Sequence, residues 1–94
     1  MANRVDANQK KIVTALRQLR AEWIPTSGDP KIGFDGIVCY RGMVYIVEIK
    51  DGSLPPSRRV LTEVEAERRR RIEAHGCKYW VIEDVEDVLD MLRI

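Results

Sequence analysis

The sequence predicts a small α/β domain in which a mixed β-sheet is flanked by helices, with the elements in the order α-β-β-β-α-β-α. Two apolar runs, 37–40 and 43–47, are separated only by Arg41 and Gly42, which indicates a β-hairpin. Segments with apolar side chains at helical spacing precede and follow this hairpin. A length of 94 residues, of which 45% are hydrophobic, fits a single domain over residues 1–94 with one core.

The first third of the chain predicts a helix and a short strand. Asp6 is the expected N-cap of the helix, and Trp23 with Ile24 forms the expected strand. Pro25 and the turn-forming residues 26–30 then interrupt regular structure. The buried stripe of this helix is predicted to consist of Ile12, Val13, Leu16 and Leu19.

The second half predicts a helix, a strand and a last helix. Thr62 is the expected N-cap of the middle helix, with Glu65 completing a capping box, and that helix is expected to end near Gly76. Its apolar stripe is thin, because Arg68 occupies a position where a large apolar residue is expected. A strand follows over 79–82, and the last helix is expected to have Asp84 as its cap and Val85, Val88, Leu89 and Leu92 on one side.

The hairpin brings two carboxylates together. If Tyr40 faces Met43, counting along both strands places Asp35 opposite Glu48, on the same face of the sheet. Lys50 falls on that face too, because strand side chains alternate. Like charges at opposed positions are destabilising unless a bound cation compensates them. The strands are apolar on both faces, which predicts a sheet covered on both sides and acids at the edge of a buried layer.

The net charge of +1 hides an uneven distribution of charged residues. Basic residues dominate residues 1–20 and the run 68–71, whereas acids collect over 83–90, which permits a basic surface for phosphate contacts. The alternative for the arginine run is a solvated helix face in which acids and arginines pair at i,i+4 spacing. The pairs expected in that case are Glu65 with Arg69 and Glu67 with Arg71.

The sequence also limits the cellular context. No apolar run approaches the ~20 residues that cross a bilayer, and no signal peptide is recognisable, so we expect a cytoplasmic protein without a membrane partner. Cys39 and Cys77 have neither disulfide nor metal-ligand spacing, and we expect them to be buried free thiols. His75, next to a helix end, is expected to meet the last carbonyls rather than a metal.

These residues resemble a known family. Asp35, followed by a strand that carries Glu48-Ile49-Lys50 and then a basic helix, resembles the core of the PD-(D/E)XK nucleases. The stretches 6–8, 40–42, 47–53 and 55–57, with Leu61-Thr62 opening the second helix, are similar to the small stand-alone VRR-NUC proteins of phages and prophages. The resemblance extends over nearly the whole chain.

The resemblance implies a restriction-endonuclease-like fold and a Mg²⁺-dependent DNA endonuclease, with Mn²⁺ expected to substitute. It implies a homodimer that hydrolyses phosphodiester bonds of branched DNA such as Holliday junctions, in the host cytoplasm if a phage encodes it. Asp35, Glu48 and the carbonyl of Ile49 would bind the metal, and Lys50 would position the attacking water or stabilise charge on the phosphate. The implied contacts to the DNA backbone are Arg58, Arg59, Arg68 and Arg69.

Two positions depart from the family pattern. The first helix of the family often offers a Glu to the site and the second helix a Gln, whereas this chain has Gln9 and Ala66 there. Gln9 is therefore expected to be an auxiliary residue only, with Glu65 or Glu67 as candidates for the missing support. The alternative function is a non-catalytic DNA-binding or assembly module in which the acids are structural and Lys50 is only their salt-bridge partner.

Overall fold

The computed structural model describes residues 7–94, and the predicted order of elements is confirmed there. Asp6, the expected cap of the first helix, lies outside the described residues. A short 3-10 helix at Pro56–Arg58 precedes the middle helix. The helices are α1 (Ala7–Gln18), α2 (Glu63–Ala74) and α3 (Val85–Leu92), and the strands are β1 (Glu22–Pro25), β2 (Gly36–Tyr40), β3 (Met43–Ile49) and β4 (Tyr79–Ile82).

The four strands form one mixed sheet in the order β1-β2-β3-β4. β1 pairs antiparallel with β2, and β2 pairs antiparallel with β3, whereas β4 pairs parallel with β3. A parallel pair needs a crossover connection, and α2 lies within it. The fold is therefore a small α/β arrangement in which β3 is an inner strand with neighbours on both sides.

The predicted hairpin register is confirmed, because Tyr40 pairs with Met43. Arg41 and Gly42 have φ angles of 48° and 83°, so both loop residues are left-handed, as a type I′ turn requires. This turn matches the natural twist of the flanking strands and fixes their pairing. The last pair of the ladder, Gly36 with Val47, directly precedes the two acids.

The core lies on one face of the sheet, under α1 and α3. Trp23, Val38 and Val47 project from three neighbouring strands into this core. The capping residues predicted for α2 and α3 are confirmed, since Thr62 accepts a hydrogen bond from the Glu65 N–H and Asp84 from the Asp87 N–H. The helices contribute Ile12, Val13 and Leu16 from α1 and Val88, Met91 and Leu92 from α3.

The expectation that both faces of the sheet are covered is wrong. On the face that carries Glu48, α2 packs against β4, at one side of the sheet. Val44 and Ile24 on the same face are 65% and 43% exposed. Within residues 7–94, this single helix of 12 residues does not extend over all four strands, and the described residues bury the part of the face around Glu48 and Tyr79.

Both cysteines are free, but their environments differ from the prediction. Cys39 in β2 is half-buried, whereas Cys77, directly before β4, is exposed, so the expectation of a buried thiol is wrong for Cys77. His75 is the C-cap of α2, at the predicted helix end. Over residues 7–94, none of the helices is long and apolar enough to cross a membrane.

Gly36→Ala is expected to destabilise the protein by about 1–3 kcal/mol, because a larger side chain is forced into a packed core. A Cβ atom at Gly36 would lie 2.3 Å from Cη2 of Trp23, which is itself buried. Urea denaturation measures the loss, with Gly28→Ala as the control, since a Cβ there meets nothing within 4 Å. Equal unfolding free energies for the two variants would contradict this packing.

Candidate metal and nucleic-acid site

The acid pair lies where β2 begins and β3 ends. Asp35 directly precedes β2 in a bend of the chain, and Glu48 lies within β3; both line a hollow of about 330 Å³ beside the start of α2. The Asp35 N–H donates to the carbonyl of Val47 at 2.9 Å, and its carbonyl accepts the Thr26 N–H at 2.8 Å. The backbone of Asp35 is therefore held by the strands on both sides.

The carboxylate of Asp35 is oriented by the backbone of β3. Its Oδ2 atom accepts the Ile49 N–H at 2.7 Å. Burial raises the pKa of Asp35 above its ordinary value, and the hydrogen bond from Ile49 opposes part of that rise. The hydrogen bond from Ile49 thus fixes the orientation of the Asp35 carboxylate, while burial disfavours its charged form.

Glu48 is more deeply buried, with 3% of its surface exposed. Its Oε2 atom lies 3.4 Å from Nζ of Lys50, while Oε1 is buried and has no hydrogen-bond partner among the described residues. Burial, followed by the charges of Asp35 and Glu65, raises the pKa of Glu48 to about 9. Without a further cation, Glu48 therefore holds a proton at neutral pH.

Lys50, directly after β3, is shared between two acids. Its Nζ donates to Oε1 of Glu65 at 2.8 Å, a shorter contact than the one to Glu48. Burial lowers the pKa of Lys50, but the hydrogen bond to Glu65 and the charge of Glu48 outweigh burial, so the pKa is raised overall. The ammonium is therefore held in its charged form between α2 and β3.

Glu65 caps α2 and also contacts Lys50. Its Oε1 atom accepts a hydrogen bond from the Thr62 N–H at 2.9 Å, which completes the predicted capping box, and the same atom accepts a hydrogen bond from Nζ of Lys50. Burial raises the pKa of Glu65, but these hydrogen bonds outweigh it and lower the pKa overall. Glu65 thus brings a third carboxylate to the hollow that Asp35 and Glu48 line.

The residues present fit a hard divalent cation at the acid pair. In residues 7–94, no group of three or more His, Cys, Asp or Glu side chains is arranged to hold a metal ion. Mg²⁺ does not need such a cage, because it is commonly bound by one or two carboxylates and keeps several waters. The buried Oε1 of Glu48, which has no hydrogen-bond partner in the described part of the chain, is the observation that fits a cation.

The first helix contributes to the site through Asn8. Its Nδ2 donates to the carbonyl of Lys50 at 2.6 Å and to that of Glu83 at 3.3 Å, which ties the ends of β3 and β4 to α1. Gln9, the predicted auxiliary residue, lines a different hollow of about 390 Å³ with Trp23 and Arg17. Asn8 belongs to the stretch 6–8 that carries part of the resemblance, but the sequence did not indicate its contact with the end of β3.

Arg58 and Arg59 lie in the connection between β3 and α2, with different surroundings. Arg58 ends the 3-10 helix and is exposed. Arg59 donates to the carbonyl of Leu54 at 2.7 Å and pairs with Glu83 at 3.1 Å. Arg58 is therefore accessible to a phosphate, whereas Arg59 also holds the connection against the end of β4.

The arginine run of α2 has partners other than those predicted. Arg68 is half-buried, and its Nε donates to the carbonyl of Ile32 at 2.7 Å. Arg69 is exposed and lies 3.4 Å from Glu73. The pairing of Glu65 with Arg69 and of Glu67 with Arg71 is wrong, because Lys50 takes Glu65 and Arg70 takes Glu67. Long-range packing therefore decided the partner of Glu65.

Comparison with known proteins found no relative of this chain. The chain matches no family model, no curated protein and no solved structure.

Proposed function

We propose that this chain is a metal-dependent DNA endonuclease that resembles the VRR-NUC group of PD-(D/E)XK nucleases. The observation that carries the proposal is Oε1 of Glu48, a buried oxygen that has no hydrogen-bond partner among residues 7–94 and lies beside a second carboxylate. Two acids this close in a buried layer are costly for stability, which favours a functional reason for their presence. A metal-binding nuclease centre supplies such a reason.

Asp35 and Glu48 would hold the Mg²⁺ or Mn²⁺ ion, with the carbonyl of Ile49 as the third protein ligand in this proposal. When bound, such an ion polarises the scissile phosphate and lowers the pKa of a coordinated water. The protein orients the carboxylate of Asp35 through the Ile49 N–H. Glu48 would give up its proton if it bound the ion, because the cation would replace that proton as its counter-charge.

Lys50 would act on the reacting groups. Its raised pKa keeps the ammonium charged at neutral pH, and Glu65 holds it beside Glu48. A fixed positive charge at this position orients the attacking water or stabilises charge that develops on the phosphate. Glu65 is therefore part of the catalytic arrangement through its contact with Lys50.

DNA would approach the hollow between α2 and the segment before Asp35. Arg58 and Arg69 are exposed and suited to the phosphate backbone, while Arg59 and Arg68 also have partners within the protein. Backbone contacts supply affinity and salt dependence without sequence information, which suits an enzyme that selects branched DNA by shape. One small chain has one such centre, so symmetric cutting of both strands requires a homodimer.

The test is cleavage of a labelled four-way junction and of a matched linear duplex in Mg²⁺, Mn²⁺ or EDTA. We expect cutting in either metal, none in EDTA, and faster cutting of the junction. Sedimentation of the protein with and without junction measures whether the active species is a dimer. A folded protein that binds Mn²⁺ but cuts neither DNA in any metal would contradict the nuclease proposal.

One observation favours the alternative, a non-catalytic DNA-binding or assembly module. Lys50 lies closer to Glu65 than to Glu48, as a purely structural ion pair would. In that case the acids and the ammonium only connect α2 to β3. DNA binding that is equally strong in EDTA and in Mg²⁺, without cleavage of any substrate, would support this module over the nuclease.

A further inference from the structure

The segment directly before Asp35 is held by hydrogen bonds from side chains to its backbone carbonyls. Three successive carbonyls, those of residues 32–34, each accept a hydrogen bond from a side chain of a different part of the fold. The donors are Nε of Arg68 in α2 at 2.7 Å, Oη of Tyr79 in β4 at 2.7 Å, and Oγ1 of Thr26 after β1 at 2.6 Å.

Arg68 packs against this segment as well as donating to it. A Cβ atom at Gly33 would lie 2.7 Å from Cβ of Arg68, and Gly33 has a φ of 85°, so glycine is required there on two grounds. The guanidinium also reaches the carbonyl of Lys31, at 3.5 Å. The arginine therefore substitutes for the apolar residue that the stripe of α2 lacks.

Tyr79 makes the second contact from within the buried layer. Its side chain is 1% exposed, and its hydroxyl donates to the carbonyl of Gly33 in a buried hydrogen bond. Tyr79 pairs with Ile46 in β3, two positions before Glu48 on the same face. The hydroxyl thus connects the strand beside Glu48 to the segment that leads into Asp35.

We propose that Arg68 and Tyr79 are positioning residues that hold the segment 32–34, and through it the carboxylate of Asp35, in place for metal binding. This inference rests on the proposed function, since it takes Asp35 as a metal ligand. Asp35 itself is held by its backbone hydrogen bonds to Val47 and Thr26, but residues 32–34 directly before it lie outside β2. The side-chain contacts from α2 and β4 restrain these residues and so support the position of Asp35.

A positioning role for Arg68 is distinct from a phosphate contact. A phosphate contact acts through charge, and its loss weakens DNA binding and lowers the salt dependence. A positioning contact acts through the hydrogen bond from Nε, and its loss weakens metal binding. Groups that orient metal ligands typically contribute about 10- to 100-fold to metal affinity.

Two substitutions of Arg68 separate these roles. Arg68→Gln removes the charge but keeps a donor at the same distance along the side chain as Nε. Arg68→Met has a similar length and removes both the charge and the donor. A phosphate contact would be lost equally in the two variants, whereas a positioning contact would be lost only in Arg68→Met.

Mn²⁺ binding, measured by calorimetry in the absence of DNA, is the test. Arg68→Met and Tyr79→Phe are expected to bind Mn²⁺ about tenfold more weakly than the wild type, and Arg68→Gln within about threefold of it. Cleavage by the two weakened variants is expected to recover at high Mn²⁺. Amide exchange at Asp35, expected to be faster in both, checks that the segment has loosened while the fold is retained.

Several results would overturn the inference. Equal Mn²⁺ affinities of Arg68→Gln and Arg68→Met would overturn it for Arg68, and wild-type affinity of Tyr79→Phe would overturn it for Tyr79. If the wild type binds Mn²⁺ but does not cut DNA, the proposed function is contradicted. The Mn²⁺ affinities of the Arg68 and Tyr79 variants still decide the positioning roles in that case. A wild type that binds no Mn²⁺ overturns both.

Discussion

Lys50→Met is expected to lower the rate of DNA cleavage by about 10²–10³-fold and to leave the affinity for Mn²⁺ unchanged. Methionine keeps most of the stem and removes the ammonium that lies 3.4 Å from Glu48. Removing a cation from the vicinity of the acids does not weaken their attraction for a metal. Single-turnover cleavage of the junction and calorimetry with Mn²⁺ measure the two effects separately.

Asp35→Asn is the matched comparison, because it is expected to lose both cleavage and Mn²⁺ binding. The asparagine oxygen still accepts the Ile49 N–H, so the substitution removes charge with little change in shape. Gln9→Ala, at a residue that lines another hollow, is expected to have a smaller effect. Equal losses of cleavage in Lys50→Met, Asp35→Asn and Gln9→Ala would contradict these roles.

Glu48→Gln is expected to stabilise the metal-free protein at pH 8, by about 2 kcal/mol, although it abolishes cleavage. The glutamine is neutral, and its amide can donate to a neighbouring carboxylate, whereas Oε1 of Glu48 has no partner among residues 7–94.

The stability of the wild type is expected to depend on pH through Glu48. Because the pKa of Glu48 is about 9 in the folded state and its ordinary value is 4.5, the folded state retains a proton that the unfolded state releases between these pH values. Wild-type stability therefore falls as the pH rises from about 4.5 towards 9.

Urea denaturation in EDTA at pH 5 and pH 8 tests this expectation. The difference in unfolding free energy between Glu48→Gln and the wild type is expected to grow in favour of the variant as the pH rises. Added Mn²⁺ is expected to stabilise the wild type more than the variant, because a ligand stabilises the state that binds it. The control is Glu67→Gln, which neutralises an exposed acid on α2. A difference that does not change with pH would contradict a protonated Glu48.

The sequence predicted the part of the site that depends on local structure. The two-residue loop of Arg41 and Gly42 sets the hairpin register, and counting from it brings Asp35, Glu48 and Lys50 to one end of β3. The cap at Thr62 and the order of elements follow from similarly local patterns. These features depend on few residues, each with a strong conformational preference.

The remaining features depend on contacts between distant residues. Arg68 meets Ile32, 36 positions away, and Tyr79 meets Gly33, 46 positions away, so no local pattern reveals either bond. The hydrogen bond from Lys50 to Glu65 likewise joins residues 15 positions apart and depends on how α2 packs against the sheet. Sequence patterns placed Arg68 in a buried stripe, but they did not reveal what its side chain would meet.

Anomalous diffraction from crystals soaked in Mn²⁺ decides whether the acid pair binds a metal, since it locates the ion independently of DNA cleavage. We expect a peak within coordinating distance of Oε1 of Glu48 and of the Asp35 carboxylate in the wild type, and none there in Glu48→Gln. A wild type that shows no peak at this position in saturating Mn²⁺ would contradict a metal centre at the acid pair.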